Sequence, residues 1–473
     1  MTAQKTTFAL YFGNRGFFPA SLIDGARRDL PRVLKSLGHD SLILDKAATR
    51  YGAVETPREG EIYAEFLRRN RGKFGGVILS LPNFGDETGA VAALKDAGVP
   101  IFVQAYPDDL DKMAPELRRD AFCGKFSVMD VFSQCSVKFT AVKPHTVNPL
   151  SEEFKTNVDH FDRVCRVVNG VKGMVVGAIG ARTTAFKTVR IDELALQKAD
   201  ITMETLDLSE VFDRMRKMSA SAKACKAKAA VLRNYACWHK APKAAFDNLV
   251  RLGVVLDEIV AAYKMDAIAV RCWVEMQFLM GISPCVLLSE LNNRGITAAC
   301  EVDIGNAVTM RALALASDGP ATCLDWNNNY ADDEDKCILF HCGPVPADLM
   351  QGKGTITDHS ILANAVGKGK AFGCNTGRIA PGDCTFGSMV TDAGRLKFYF
   401  GEGRFTNDPI PADFFGCAGV VEIPGLQDVL LHVGQNGHRH HVSVTPGHIL
   451  APVREALEHY LGFQVTAPQV EST

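Results

Sequence analysis

The sequence predicts an α/β protein with two consecutive doubly wound parallel-sheet domains, followed by a β-rich, antiparallel and barrel-like C-terminal domain. Three observations support this prediction. The chain has 473 residues, enough for about three domains of roughly 150 residues each. Short apolar runs alternate with amphipathic stretches up to about residue 271. Short strands separated by Gly and Pro turns then begin near residue 335.

The first domain is predicted over residues 1–150. Apolar runs typical of buried strands occupy residues 7–12, 41–45, 76–80 and 100–104, with helix-like amphipathic stretches between them. Strands that recur at intervals of about 25 to 35 residues, with a helix in each interval, are typical of a parallel sheet with crossover connections. We therefore expect a doubly wound sheet in this domain.

The same alternation resumes after a short connection at residues 148–151 and continues to residues 267–271, which predicts a second doubly wound domain over residues 151–305. Two successive parallel sheets place ligands at the carboxyl ends of their strands. The third domain is predicted over residues 306–473. Its strand-like segments, such as 396–400, alternate with turns and favour an antiparallel β domain.

Composition and charge argue against several classes of protein. The 52 Lys and Arg residues are balanced by 54 Asp and Glu residues, so the net charge of −2 provides no positive field for nucleic acid or an anionic membrane. No apolar run approaches the roughly 20 residues of a spanning helix, and the N-terminus resembles a first strand rather than a signal peptide. We expect a cytoplasmic protein with no nucleic-acid or membrane partner.

Cysteine and glycine spacings exclude further classes of site. The 14 cysteines are scattered and include no Cys-x-x-Cys pair, so we expect reduced, mostly buried thiols. The glycine pairs at residues 13–16 and 177–180 lack the third glycine of a dinucleotide-binding motif. Because Gly-Lys-Ser/Thr and Gly-x-Ser-x-Gly motifs are also missing from the sequence, we expect no nucleotide cofactor.

Carboxylate and imidazole side chains recur at the ends of apolar runs in the C-terminal half. Glu301, Asp325 and His341 each follow such a run, and four of the 12 histidines lie within residues 438–448. Carboxylates at strand ends are poorly placed for burial unless a positive charge meets them. Two carboxylates with one or two imidazoles suit a hard divalent cation, Mn²⁺ or Mg²⁺, better than zinc. Taken singly, each residue could instead be a helix cap, an ion-pair partner or part of an exposed loop.

Three segments carry a resemblance to a known family. Residues 300–307 (Cys-Glu-Val-Asp-Ile-Gly-Asn-Ala), 324–327 (Leu-Asp-Trp-Asn) and 440–448 (His-His-Val-Ser-Val-Thr-Pro-Gly-His) resemble, in order and approximate spacing, the metal-site segments of the L-fucose isomerase and L-arabinose isomerase superfamily. The resemblance implies the same three-domain architecture that the alternation of strands and helices predicts. It also implies an enzyme, an intramolecular oxidoreductase that interconverts an aldose and a ketose.

The resemblance assigns roles to individual residues. It implies that Glu301 and Asp325 are both metal ligands and the acid/base pair, and that His441 is the third ligand. His341 is similar in placement to a further histidine of the arabinose branch. His440 is the alternative to His441, because shifting the comparison with the family segment by one residue exchanges the two histidines. The implied cation is Mn²⁺, with Mg²⁺ or Co²⁺ as alternatives.

Candidates for substrate contact are polar or aromatic residues at strand ends and in the loops that follow them. They are Arg15, Gln104, Tyr106, Arg182, Lys187, Arg190, Trp273 and Glu275. Ordinary loop polarity is the alternative interpretation for most of them. Packing in the core is the alternative for Trp273.

The implied reaction is an enediol proton transfer between neighbouring carbons of a free sugar. An unactivated α-proton is too weakly acidic for a carboxylate at neutral pH, so the metal has to act as a Lewis acid on the sugar oxygens. Which of Glu301 and Asp325 removes the carbon-bound proton is open. L-Fucose, D-arabinose, L-arabinose or an anionic sugar fit the resemblance, which also implies a homo-oligomer, either a trimer or a hexamer.

Two other functions stay open at this point. Two α/β domains around a cleft also form non-catalytic sugar-binding proteins, although the additional β domain argues against that class. An epimerase or a lyase could use the same metal-stabilised enediolate.

Overall fold

The computed structural model describes residues 5–468, which form two compact units that meet in sequence at Asn169 and Gly170. The outer ends of the first and third predicted domains, residues 1–4 and 469–473, lie outside the described residues. The three sheets run within residues 8–105, 175–300 and 322–466. The first sheet lies in the first unit and the other two lie in the second.

The first unit is built around a four-stranded parallel sheet. Its strands are β1 (Phe8–Phe12), β2 (Ser41–Ile43), β3 (Gly76–Leu81) and β4 (Ile101–Ala105), in the order β2-β1-β3-β4. Its helices are α1 (Ser21–Ser36), α2 (Pro57–Arg69), α3 (Glu87–Leu94), α4 (Ala121–Gln134) and α5 (Glu152–Val171). Every residue of β1, β3 and β4 is buried, as expected when helices cover both faces of a parallel sheet.

The second unit begins with another four-stranded parallel sheet. Its strands are β5 (Val175–Ile179), β6 (Thr202–Leu206), β7 (Ala267–Val270) and β8 (Thr297–Cys300), in the order β6-β5-β7-β8. The helices of this part are α6 (Glu193–Lys198), α7 (Leu208–Lys217), α8 (Lys223–Tyr235), α9 (Lys243–Tyr263), α10 (Glu275–Met280), α11 (Cys285–Asn293) and α12 (Ile304–Ser317). Because β7 and β8 are parallel neighbours, the segments that follow them emerge at the same edge of the sheet.

A nine-stranded, mostly antiparallel sheet completes the second unit. Its strands are β9 (Thr322–Tyr330), β10 (Asp333–His341), β11 (Thr355–Asp358), β12 (Phe372–Arg378), β13 (Gly382–Asp392), β14 (Arg395–Phe405), β15 (Cys417–Glu422), β16 (His441–Pro446) and β17 (Gln464–Thr466). Its helices are α13 (Ser360–Val366), α14 (Leu426–Gln435) and α15 (Leu450–Arg454). Pairing of β14 with β15 closes β15-β10-β9-β16-β13-β14 into an antiparallel barrel. The predicted fold class is therefore confirmed.

Helix α12 joins the parallel sheet to the barrel. It packs against β8 on one side and against β13 and β16 on the other. Its buried residues extend over most of its length, as expected of a helix enclosed by two sheets. Within the described residues, no helix combines the length and apolar character needed to cross a membrane.

A buried ion pair in the first unit offers a test of this structure. Asp162 on α5 is fully buried, accepts a hydrogen bond from the backbone N–H of Thr6 at 3.1 Å and lies 3.5 Å from Arg166 Nε. Burial raises the pKa of this carboxyl group, but the charge of Arg166 and the hydrogen bond outweigh burial and lower it. Its stabilising effect is therefore complete above the usual pKa of an aspartate and is lost as the pH falls through the lowered value.

We expect Asp162→Asn to lower the free energy of unfolding by about 3 kcal/mol at neutral pH, because it removes a buried carboxylate charge that faces the Arg166 guanidinium. Urea denaturation of the full chain measures this change. Asp159→Asn is the matched control on the same helix, since Asp159 is half-exposed and pairs with Arg163 at the surface. A loss of stability no larger than that of the control would contradict the assignment.

Candidate active site

Glu301 directly follows β8, at the carboxyl edge of the second parallel sheet. The backbones of Glu301 and Val302 both adopt left-handed conformations, with φ angles of 62° and 58°. Two successive non-glycine residues in this region are strained, at a cost of order 1–3 kcal/mol each, and such strain clusters at functional sites. The chain then enters α12, whose N-cap is Asp303. This tight turn places two carboxylates at one end of the sheet.

The barrel contributes the remaining polar side chains through its strand register. Asp325 of β9 lies directly opposite His441 of β16, and Phe340 of β10 lies opposite Asp325 on its other side. His341 follows Phe340 and ends β10. Residues directly opposite one another in antiparallel strands have Cβ atoms about 4.5 to 5.5 Å apart. The register therefore brings Asp325 and His441 together, and His341 lies one residue beyond the pair of Phe340 and Asp325.

Distances show that the two groups of side chains meet. His441 Nε2 lies 2.9 Å from Glu301 Oε2 and 3.4 Å from Asp325 Oδ1. His440 Nε2 is 3.7 Å from Asp325 Oδ1, and the His440 side chain is 44% exposed, whereas that of His441 is 1% exposed. Of the two neighbouring histidines, His441 is therefore the one that contacts both carboxylates.

Two buried atoms of this cluster, Asp325 Oδ1 and His341 Nε2, have no hydrogen-bond partner among the described residues. His441 Nε2 meets carboxylate oxygens, with Glu301 Oε2 nearest. Glu301, His341 and His441 offer ligand atoms within 4.8 Å of one another, and so do Asp325, His440 and His441. An unpaired buried polar atom costs about 1–3 kcal/mol, so a convergent set of them indicates a missing partner. Carboxylate oxygens with imidazole nitrogen form a donor set that fits a divalent cation such as Mn²⁺.

Asp303 fixes the orientation of His441. It is fully buried, accepts a hydrogen bond from Asn306 N at 3.0 Å, and its Oδ2 lies 2.7 Å from His441 Nδ1. Arg439, also buried, forms an ion pair with the other Asp303 oxygen. Because the carboxylate can only accept, His441 Nδ1 carries a proton, and Nε2 is the ring nitrogen that faces Glu301 and Asp325.

The hydrogen bonds of His341 differ from those of His441. The backbone N–H of Cys342 donates to His341 Nδ1 at 2.9 Å, so this nitrogen accepts and the proton of the neutral ring is on Nε2. In this tautomer His341 presents an N–H donor to the cluster. The ring centroid of His341 lies 5.8 Å from that of His441.

Burial and charge shift the pKa values of the cluster in different directions. Burial alone would lower the pKa of His441, but Asp303 and Glu301 outweigh it and raise this pKa to about 9. Burial raises the pKa of Glu301, yet the neighbouring His441 outweighs burial and lowers it. Burial raises the pKa of Asp325, and this effect dominates there. Two carboxylates with oppositely shifted pKa values are typical of an acid/base pair.

A cavity of about 300 Å³ adjoins the cluster. Its lining includes Glu301, Asp325 and His341, together with Trp273 and Phe415. Trp273 Nε1 donates a hydrogen bond to Glu301 Oε1 at 2.9 Å, which leaves Oε2 directed at His441. The cavity is large enough to hold a small polar ligand beside both carboxylates.

The loop that follows β5 packs over the histidines. The ring of Phe186 lies 5.5 Å from that of His440, 5.7 Å from that of His441 and 5.8 Å from that of Trp273, measured between centroids. Arg182 Nη1 stabilises this loop by donating to the Phe186 carbonyl at 3.1 Å. The sequence analysis gave no role to Phe186, because nothing in the local pattern indicates which strand its ring will meet.

The other substrate-contact candidates of the second unit have different surroundings. Lys187 and Arg190 are exposed on the loop that carries Phe186. Glu275 forms an ion pair with Arg271 at 2.6 Å and does not belong to the described lining of the cavity.

Three candidates lie in the first unit, where their contacts are internal to that unit. Arg15 forms an ion pair with Glu87. Gln104 is fully buried, accepts from Ser80 Oγ at 2.6 Å and donates to the Val147 carbonyl at 2.8 Å, so both of its amide groups are engaged. The Tyr106 hydroxyl is buried, and no described residue is its hydrogen-bond partner.

Sequence reasoning also left Asp303 and Arg439 without a role. The signal for Asp303 was present, since an aspartate two residues after a strand-end glutamate can both cap a helix and face a histidine. Arg439 stands between two histidines, and its partner is 136 residues away in the chain.

Two family models match the chain. The N-terminal domain of fucose/sulfoquinovose isomerase matches residues 9–172, and the C-terminal domain of L-fucose isomerase matches residues 339–468. The second range includes His341 and His441, whereas Glu301 and Asp325 lie between the two ranges.

Curated relatives agree with these models. A sulfoquinovose isomerase of Priestia megaterium (strain ATCC 12872 / QMB1551) is 22% identical over 385 residues, which cover 80% of this chain and 82% of the relative. A sulfoquinovose isomerase of Alkalicoccus urumqiensis is 24% identical over 315 residues, which cover 65% of this chain and 68% of the relative. The fold and the two family models, taken with these relatives, confirm the resemblance drawn from the sequence: the chain belongs to the L-fucose isomerase superfamily, a group of aldose–ketose isomerases.

Proposed function

We propose that this protein is a divalent-metal-dependent aldose–ketose isomerase whose substrate is an anionic aldose of the sulfonated type. The observation that carries the proposal is the convergence of Glu301, Asp325 and His441, since both carboxylates lie within 3.4 Å of His441 Nε2. A non-catalytic sugar-binding protein would not need two buried carboxylates held against one histidine, because their burial has a free-energy cost.

Glu301, Asp325 and His441 would hold the cation, for which Mn²⁺ is the first candidate and Mg²⁺ or Co²⁺ the alternatives. When bound, the cation supplies Lewis-acid polarisation of the sugar carbonyl and hydroxyl oxygens. Asp303 keeps the proton of His441 on Nδ1, so that Nε2 is available as a ligand atom. The Nε2–H of His341 is available as a hydrogen-bond donor to a sugar oxygen.

The two carboxylates would share the proton transfers. In aldose–ketose isomerisation, a proton leaves C2 of the sugar and is returned to C1, while a hydroxyl proton moves between the neighbouring oxygens. Both carboxylates line the cavity in which the sugar would lie, so each is within reach of the reacting carbons and oxygens. Trp273 restrains the Glu301 carboxylate through its Oε1 atom.

The anionic substrate is inferred from the relatives and from the loop over the site. The relatives are named sulfoquinovose isomerases, and sulfoquinovose is a sulfonated aldohexose. The loop whose Phe186 packs on His440 and His441 also carries two exposed cations, Lys187 and Arg190. A charge-assisted hydrogen bond to a sulfonate from such a side chain is worth about 1.5–3 kcal/mol. We further propose a homo-oligomer, a trimer or a hexamer, which light scattering coupled to gel filtration measures.

A metal-supplemented substrate screen tests the reaction. Purified protein is treated with a chelator, resupplied with Mn²⁺, Mg²⁺ or Co²⁺, and incubated with sulfonated, carboxylated and uncharged aldoses in deuterated water. We expect a ketose labelled at C1, observed by NMR, only after metal is restored. An aldose product would indicate an epimerase, two fragments would indicate a lyase, and binding without turnover would indicate a sugar-binding protein.

Glu301→Gln is the decisive variant in that screen. It keeps the shape of the side chain but removes its negative charge, so we expect turnover to fall by at least about 10³-fold while the circular dichroism spectrum is retained. Glu210→Gln, on the exposed face of α7, serves as the control. Turnover of Glu301→Gln close to that of the control would refute the assignment.

Asp303→Asn tests the orientation of His441. Asparagine still caps α12 but no longer holds the His441 ring as a charged acceptor, so we expect Mn²⁺ affinity to weaken about 10- to 100-fold by calorimetry. Asp207→Asn, at the N-cap of α7, is the matched control. Equal Mn²⁺ affinities of the two variants would show that Asp303 has no influence on the metal site.

Lys187→Gln tests the charge of the substrate. If Lys187 contacts the anionic group, KM for the sulfonated sugar rises about tenfold or more, while turnover at saturation changes little. Lys198→Gln, an exposed lysine on α6, is the control. An unchanged KM for Lys187→Gln would remove this residue from the substrate site and leave the isomerase assignment intact.

A further inference from the structure

A group of buried cysteines lies beside the candidate active site. The Sγ atoms of Cys285, Cys300 and Cys342 all lie within 4.8 Å of one another, and those of Cys285 and Cys342 are 3.3 Å apart. The three residues are at most 9% exposed. We call these three residues the thiol cluster.

The cluster is assembled from three separate elements. Cys285 is the first residue of α11, Cys300 is the last residue of β8, and Cys342 follows the end of β10. Two further buried cysteines extend it, since Cys272 contacts the Cys300 thiol and Cys374 contacts the Cys285 thiol. Packing alone does not explain five adjoining thiols, because other small hydrophobic side chains would fill the same space.

We propose that the thiol cluster is a second metal site, which binds a soft, thiophilic divalent cation of the zinc class. Metal–sulfur bonds of about 2.3 Å place the sulfur atoms of three ligands about 4 Å apart. The thiol cluster is compatible with this value, since the Sγ atoms of Cys285 and Cys342 are 3.3 Å apart and no separation exceeds 4.8 Å. Thiolate sulfur selects soft cations, whereas Mn²⁺ and Mg²⁺ prefer oxygen and nitrogen donors.

The surroundings of the cluster fit a bound cation. Cys285 lies at the N-terminus of a nine-residue helix, where the helix dipole favours a thiolate. Cys272, Cys285 and Cys342 line the same cavity of about 300 Å³ as the carboxylates, and Ile361, which also lines it, is 61% exposed. A path therefore leads from the surface to the sulfur atoms.

Cadmium is the probe for this site, because Cd²⁺–thiolate bonds absorb in the near ultraviolet and carboxylate or imidazole ligands give no such band. The full chain is treated with a chelator, kept reduced with a phosphine and titrated with Cd²⁺. We expect the band to saturate at one equivalent, to be lost when Zn²⁺ is added and to persist when Mn²⁺ is added. No thiolate band, or a band that Mn²⁺ removes, would overturn the proposal.

Serine variants locate the ligands. Cys285→Ser and Cys342→Ser each remove one thiolate, so we expect a weaker band and a loss of Cd²⁺ affinity of more than about 100-fold, which is larger than the loss caused by changing a residue that only supports a ligand. Cys417→Ser, equally buried within the barrel, is the matched control and keeps the band. Glu301→Gln also keeps it, which separates this site from the carboxylate site. An undiminished band in Cys285→Ser would refute the proposal.

A measurement on the unaltered protein guards against variants that fail to fold. Alkylation in mild denaturant, followed by peptide mapping, reports which cysteines Cd²⁺ protects. Protection confined to Cys285, Cys300 and Cys342, with or without Cys272 and Cys374, supports the site. Protection spread evenly over all cysteines would contradict it, and so would a Cys285–Cys342 disulfide that survives treatment with the phosphine.

Discussion

The antiparallel register between β9 and β16 is the constraint on which the candidate site depends. It places His441 opposite Asp325 and directs the imidazole into the interior. A slip of one residue would put His440 in that position and turn His441 to the other face of the strand. Closure of the barrel prevents such a slip, because β16 is also paired with β13 and cannot move along one neighbour alone.

The site also depends on the turn after β8, which supplies Glu301. Glu301 comes from the parallel sheet, whereas Asp325 and His441 come from the barrel, so neither sheet alone holds the full set. The left-handed backbone at Glu301 is strained, and the contacts of Asp303 with His441, Asn306 N and Arg439 offset that strain. One turn therefore supplies a carboxylate to the site and a second carboxylate that orients the histidine opposite it.

The sequence predicted the fold class and the convergent residues better than it predicted their supporting contacts. Alternation of strands and helices is a local pattern, and Glu301, Asp325 and His441 follow or occupy strands that the pattern identifies. The contact of Asp303 with His441 spans 138 residues and depends on which barrel strand lies across from α12, which no local pattern encodes. Gln104 shows a second limit. The local sequence around an amide at a strand end is the same whether the amide contacts a ligand or, as in Gln104, bonds to residues of its own unit.

The cysteines show why chemistry can stay hidden in a sequence. Their scattered spacing predicted reduced, mostly buried thiols and no site, yet three elements bring Cys285, Cys300 and Cys342 together beside the carboxylates. A site of carboxylate and imidazole ligands binds Zn²⁺ more tightly than Mn²⁺ when both are present, as the Irving–Williams order requires. Thiolates bind Zn²⁺ more strongly still, so an adjoining thiol cluster would compete for zinc without competing for manganese. The cavity would thus carry two sets of ligands, with Zn²⁺ bound by the thiolates and Mn²⁺ bound by the carboxylates and the imidazole.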